Sequence, residues 1–317
     1  MKLMKRAWSV LALALVSVGA NAQTGLDPSL PTYQAVSGVS GSVKSMGSDT
    51  MNNLMTLWAE DFKKIYPNVK IEIEGKGSST APPALTEGIA QFGPMSRAMK
   101  SSEIDAFKAR HGYEPTKLPA AIDCLAVFVH RDCPIDEISI EQLQKVFSVA
   151  GPDMRWGDLG VDDPAWKSQP ISLYGRNSAS GTYGFFKEFA LGGNDYKATV
   201  KEQPGSSTVV QGISTDRFGM GYSGIGYTAA GVKALRVSSQ GGEAMAPDVE
   251  HAYSGDYPLA RFLYVYVNND PRKALDPLRA EFVRFMFSRE GQESVLKDGY
   301  YPVTADIARE ALADAGL

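Results

Sequence analysis

The residues best suited to chemistry lie near the middle of the chain, in Gly175-Arg176-Asn177-Ser178-Ala179-Ser180-Gly181-Thr182. They precede an apolar run, Tyr183, Phe185, Phe186 and Phe189, spaced like one face of a helix. Small hydroxyl residues and glycine at a helix start leave backbone N–H groups pointing at one spot, where the helix dipole favours negative charge. Arg176 adds a planar donor fork suited to a tetrahedral oxyanion. The pattern predicts an anion cradle.

Four further Gly/Ser loops share that character. Gly47-Ser48-Asp49-Thr50 follows a short strand, Gly41 to Met46. A helix through Leu54, Leu57, Trp58, Phe62 and Ile65 comes next, and then an alternating strand, Val69, Ile71, Ile73. That strand runs into Gly75-Lys76-Gly77-Ser78-Ser79-Thr80, in which Ser79 or Thr80 reads as a helix cap and Ser78 is left to face a cleft. A short strand around Phe92 delivers Gly93-Pro94-Met95-Ser96-Arg97 to the same edge, and the role of Arg97 is balanced between a surface ion pair and the cleft. Gly205-Ser206-Ser207-Thr208 reads as an ordinary capped helix start.

Alternation of strand, Gly/Ser loop and helix predicts an α/β fold of mixed sheets flanked by helices, with ligands at the carboxyl ends of the strands. The apolar strand Ala121 to His130 opens a second lobe, and Pro152 to Pro170 reads as a surface loop. The return segment Tyr257 to Tyr266 crosses back to the first lobe, which a helix through Phe282, Val283, Phe285, Met286 and Phe287 completes. The expected division is 1–22 export signal, 23–38 polar leader, 39–119 with 257–317 as one lobe, and 120–256 as the other. Two crossings make a hinge.

Met1 to Ala22 has a basic start, an apolar run and a small-residue cleavage site, as a secretory signal does. Its three basic residues are Lys2, Lys5 and Arg6, so the formal net charge of −4 becomes −7 on its removal. An acidic chain without a basic stripe argues against nucleic acid. Cys124 and Cys133 leave a disulfide open, since the strand between them spans roughly 16 Å if extended. No metal or cofactor motif is present in the sequence. His111, His130 and His251 lie away from the loops, and donors without a nucleophile and base describe capture rather than turnover.

Across nearly the whole length after the signal the chain resembles the PstS-type phosphate-binding proteins of bacterial ABC transporters. The resemblance is carried by Gly47 to Thr50 before a Trp-containing helix, Gly75 to Ser79, Phe92 to Arg97, Gly175 to Thr182, Gly205 to Ser207, and Phe285 to Gln292. It implies a two-lobed, type II-like periplasmic binding protein with two hinge-crossing strands, monomeric, without cofactor. It further implies capture of inorganic phosphate and delivery to an inner-membrane ABC permease. By that analogy Ser78 donates from one lobe and Arg176, Ser180, Gly181 and Thr182 grip from the other, with Ser48 and Thr50 in the first loop.

The family pattern has a threonine-aromatic pair in the first loop and F-G-x-x-Asp in the third. Aligning on Trp58 and Phe92 places Asp49 against that threonine and Ser96 against that aspartate. The expectation is that Asp49 accepts the proton of bound phosphate while Ser96 and Arg97 supply donors. Sulfate or molybdate capture, a sensing or adhesion role on the same scaffold, and a secreted phosphatase are the competing readings.

Overall fold

A computed structural model describes residues 25–239 and 241–317, so the segment read as an export signal lies outside the described residues. The first Gly/Ser loops sit where the alternation places them. Strand β1 (Gly41–Met46) leads to α1 (Asn52–Ile65), β2 (Val69–Glu74), α2 (Ala81–Thr86), β3 (Phe92–Met95) and α3 (Ser101–His111). A long strand, β4 (Thr116–His130), carries the chain on to β5 (Glu137–Ser139), α4 (Ile140–Phe147), β6 (Ser172–Arg176) and α5 (Gly181–Phe189). Then come β7 (Lys201–Gln203), α6 (Ser206–Thr215), β8 (Gly219–Gly224), β9 (Val232–Ala234), β10 (Arg236–Ser238) and α7 (Val249–Ser254). Strand β11 (Ala260–Val267) returns, and α8 (Pro277–Met286), α9 (Arg289–Lys297) and α10 (Ala305–Asp314) follow.

The strands form one nine-stranded sheet and a separate two-stranded sheet of β5 and β10. Strands run in the order β2-β1-β3-β11-β4-β8-β6-β7, with β9 also on β4. Within each half β1 lies parallel to β2 and β3, and β6 parallel to β7 and β8, as right-handed crossovers through helices require. β11 is antiparallel to both β3 and β4. Thr116 to Cys124 of β4 pairs with β11, whereas Leu125 to Val129 pairs with β8. β4 therefore runs unbroken through the position where the second lobe was expected to begin. Its buried stretch, Ala120 to Val129, is apolar except for Asp123 and is covered on both faces.

The cores separate at this spine. Leu118, Ala120, Ala121, Leu263 and Val265 pack with α1 and α8, while Ile122, Leu125, Val127, Tyr257 and Leu259 pack with α4 and α5. The residue 152–170 segment is the surface loop its prolines predict, but it is pinned to the core at three points, Trp156, Val161 and Trp166. Trp156 and Trp166 are buried in the second core, their rings edge-to-face at 5.4 Å. Two indoles remove enough apolar surface from water to hold an irregular segment down. Cys124 and Cys133 are both free and buried. Burial raises both thiols, Cys133 to about 11. No helix among the described residues is long and apolar enough to cross a membrane.

Candidate anion-binding site

Three loops of the first half are stitched together by their own backbone. Gly77 N–H donates to Gly47 O at 2.7 Å and Ser48 N–H to Pro94 O at 2.8 Å. A Cβ at Gly47 would lie 2.1 Å from Pro94 O, so only glycine permits the second bond. Although Ser48-Asp49-Thr50 has the composition of a helix cap, α1 begins at Asn52 behind Met51 and takes no side-chain cap. The three side chains are thereby released for other work. Thr50 and Ser48 are buried, and Ser48 Oγ has no partner among the described residues. The second loop likewise leaves its serine free of capping: Ser78 is fully buried and its Oγ accepts the Ser96 N–H at 3.0 Å.

On the opposite side β6 ends at Arg176 and α5 starts behind Ser180, whose Oγ accepts the Tyr183 N–H. This cap aims the free first-turn N–H groups of Gly181 and Thr182 outward from the helix. The Thr182 side chain meets the first half directly. Thr182 Oγ1 lies 2.9 Å from Thr50 Oγ1 and 3.4 Å from Ser96 Oγ, which is itself 3.2 Å from Ser78 Oγ. Ser79 N–H donates to Ala179 O at 3.1 Å across the same boundary. Four hydroxyls from four loops thus form one buried cluster at a helix N-terminus.

Arg176 stands beside it with a side chain 1% exposed. Nη2 reaches Asp49 Oδ2 at 3.1 Å and Pro204 O at 3.1 Å, and Nη1 donates to Ser206 Oγ at 2.7 Å. Its Nε is buried without a partner among the described residues. Burial lowers the guanidinium's proton affinity, and the Asp49 carboxylate opposes that loss. Asp49 Oδ2 also accepts the Ser206 N–H at 2.8 Å. Tyr227 and Tyr300 donate their hydroxyls to Asp49 O and Thr50 O, so the first loop is held from both sides.

Of the ten residues expected at the site, the structure gathers Ser48, Asp49, Thr50, Ser78, Ser96, Arg176, Ser180, Gly181 and Thr182 around this cluster, and it does not bring Arg97 there. Arg97 donates through both Nη atoms to the Glu103 carboxylate at 2.8 and 2.7 Å. Glu103 sits in the first turn of α3, where the dipole favours a carboxylate, and it holds the fork away from the hydroxyl cluster, with Nη2 also 3.4 Å from Ser79 Oγ. The reading of Ser206 as a cap is also corrected: the cap position is Gly205 and the Ser206 hydroxyl serves Arg176. Its Gly-Ser-Ser composition, shared with the other loops, was the available signal.

Two residues escaped sequence reasoning altogether. Arg261 of β11 pairs in register with Asp123 of β4, and its Nη2 lies 3.0 Å from Thr182 Oγ1. Nothing local to either residue marks them, because each reads as a lone charge in an apolar strand. Among the described residues there is no group of side chains that could hold a metal ion. His111 and His251 bond to Thr86 O and Asp248, away from the cluster. The arrangement gathers many hydrogen-bond donors at one helix N-terminus, with the Asp49 carboxylate held against Arg176 and the Ser206 N–H.

The chain matches the PBP superfamily domain over residues 32–290, a span that contains all five loops. It is 51% identical over 322 residues to the phosphate-binding protein PstS of Pseudomonas aeruginosa, covering 99% of each chain. This chain belongs to the PstS family. The PstS protein of Bacillus subtilis is 29% identical, with 95% of this chain and 93% of that one aligned. Among solved structures, a phosphate ABC transporter substrate-binding protein from Clostridium perfringens, crystallised with bound phosphate, superposes with a TM-score of 0.71. That alignment covers 83% of this chain and all of the other at 24% identity, and it shows the shared fold. PstS proteins are binding proteins rather than enzymes, and the two-lobed α/β architecture expected of them is the one observed.

Proposed function

We propose that this protein captures inorganic phosphate in the periplasm and hands it to an inner-membrane ABC permease. The observation that carries the reading is the contact of Thr50 Oγ1 with Thr182 Oγ1, because it places hydroxyls of both lobes at one helix N-terminus. Ser48, Asp49, Thr50, Ser78 and Ser96 form one jaw, and Arg176, Ser180, Gly181 and Thr182 the other. Arg97 is left out of the set. The lobes divide within β4 and again at the start of β11, where the two cores part. Membership of a family whose P. aeruginosa relative is named a phosphate-binding protein supports the ligand.

Within that reading Asp49 supplies the selectivity. One of its oxygens is taken by Arg176 and the Ser206 N–H, which hold the group as an acceptor. Phosphate carries a proton to give to such an acceptor, whereas sulfate brings only lone pairs and would face an uncompensated charge. Calorimetric titration with phosphate and sulfate tests this. Wild type should bind phosphate alone, and Asp49→Asn, which turns an acceptor into a donor of the same size, should lower the phosphate-over-sulfate preference by about tenfold or more. An unchanged preference in that variant would refute the role of Asp49, and the absence of phosphate binding by wild type would refute the function.

A further inference from the structure

We infer that Arg261, clamped by Asp123 at the strand crossing, is a positioning residue for the anion site: it sets the Thr182 hydroxyl as a donor and registers both jaws to the strands between them. The inference deepens the capture reading and rests on it. Arg261 Nε and Nη2 donate to Asp123 Oδ2 at 3.0 and 2.8 Å, while Asp123 Oδ1 accepts the Ile225 N–H at 3.0 Å. Nη1 donates to Ser96 O at 2.9 Å, in the third loop of the first jaw. Nη2 donates to Thr182 Oγ1 at 3.0 Å, in the first turn of α5 in the second. The guanidinium lies 5.1 Å from the Phe185 ring centre, and the paired side chains are 2% and 0% exposed.

A buried ion pair is poor evidence of a stabilising role, since apolar residues of the same volume often serve the fold as well or better. What apolar residues could not supply is direction. A threonine hydroxyl has one hydrogen, and arginine has no acceptor to receive it. With Arg261 donating into its oxygen, Thr182 must send its hydrogen elsewhere, and the hydroxyls within reach are Thr50 Oγ1 and Ser96 Oγ in the cluster. Asp123 fixes the plane of the fork, so this polarity is built in before any ligand arrives. The same fork bonds Ser96 O, and the two jaws are thereby set against a single rigid group on β11.

Wild type is first titrated calorimetrically with inorganic phosphate, sulfate and molybdate, and the anion it binds is used for the variants. Arg261→Lys keeps a cation for Asp123 but offers one nitrogen, which cannot serve Asp123, Ser96 O and Thr182 together. It should bind about tenfold more weakly or worse. Thr182→Val combined with Arg261→Lys should lose less than the product of the two single losses, because the hydroxyl to be oriented is gone and only the bond to Ser96 O is left for the lysine to forfeit. Binding by folded Arg261→Lys within twofold of wild type, or losses that multiply in the double variant, overturns the inference. Where Arg261→Lys does not fold, the uncharged pair Arg261→Gln with Asp123→Asn replaces it under the same criteria. Failure of wild type to bind any of the three anions would refute phosphate capture by itself. The link between Arg261 and Thr182 is then judged from denaturant unfolding of the two single variants and the double: non-additive changes uphold it and additive changes overturn it.

Discussion

At Gly181 the second jaw lies close against the first. A Cβ there would lie 2.3 Å from Ser78 Oγ and 2.8 Å from Ser96 Oγ, closer than unbonded atoms approach. A glycine in the first turn of α5 costs that helix up to about 1 kcal/mol relative to alanine, so its presence is explained by the approach and not by the helix. Gly181→Ala should therefore leave the unfolding temperature of the ligand-free protein unchanged or slightly raised, while phosphate affinity falls by about tenfold or more. Calorimetry beside a thermal melt separates the two effects. Full affinity in the variant would mean that Ser78 and Ser96 can turn aside without loss, and that the contact is not what closes the site. Arg176 differs in kind, because its place depends on Asp49, Pro204 and Ser206, which come from two other loops. Residue type marked Arg176 as a site residue, but only the fold supplies the partners that orient it.

Elements were legible in the sequence wherever their signal was local. The apolar periodicity of α1, the alternation in β2 and the Ser-Gly-Thr start of α5 all lie where spacing puts them. What was not legible is how element ends are satisfied across long separations. Lys197 is buried and donates to Lys145 O and Val146 O in the last turn of α4 and to Pro152 O beyond it, a cation at a helix C-terminus that no nearby pattern announces. At the start of α1, left without its own side-chain cap, the Asp298 carboxyl faces the Leu54 N–H from beyond α9. Burial, with the negative charge of Asp123 adding to it, raises this carboxyl from 3.8 to about 7, and its Oδ2 has no partner among the described residues. The folded protein then holds this proton more tightly than the unfolded chain does. Stability from the group is present in full below about pH 4 and is lost as pH rises through about 7, by at most about 4 kcal/mol before solvent screening. Asp298→Asn keeps an acceptor for Leu54 and removes the titration. Its unfolding free energy should exceed that of wild type increasingly between pH 5 and pH 8; parallel pH curves for the two proteins would show that Asp298 is ionised throughout.

At the scale of the whole molecule, the continuous sheet explains how two cores share one frame. Among the described strands, β4 and β11 contribute to both, and the Arg261–Asp123 pair joins them where the cores part. Charge at this scale works against the ligand. The chain carries a formal net charge of −4, or −7 without residues 1–22, so its distant field repels phosphate. Near the site, Arg176 and Arg261 are each matched by a carboxylate, Asp49 and Asp123, which leaves little net positive charge to draw an anion in. Capture then depends on oriented N–H and O–H groups that act over a few ångströms. Adding sodium chloride shortens the screening length from about 30 Å at 0.01 M to about 8 Å at 0.15 M. The phosphate association rate should accordingly rise with salt, by up to about twofold, while dissociation from the buried cluster changes little. Stopped-flow tryptophan fluorescence across that range measures both rates. An association rate that falls with salt would instead place a positive potential at the cleft mouth, strong enough to outweigh the charge of the whole chain.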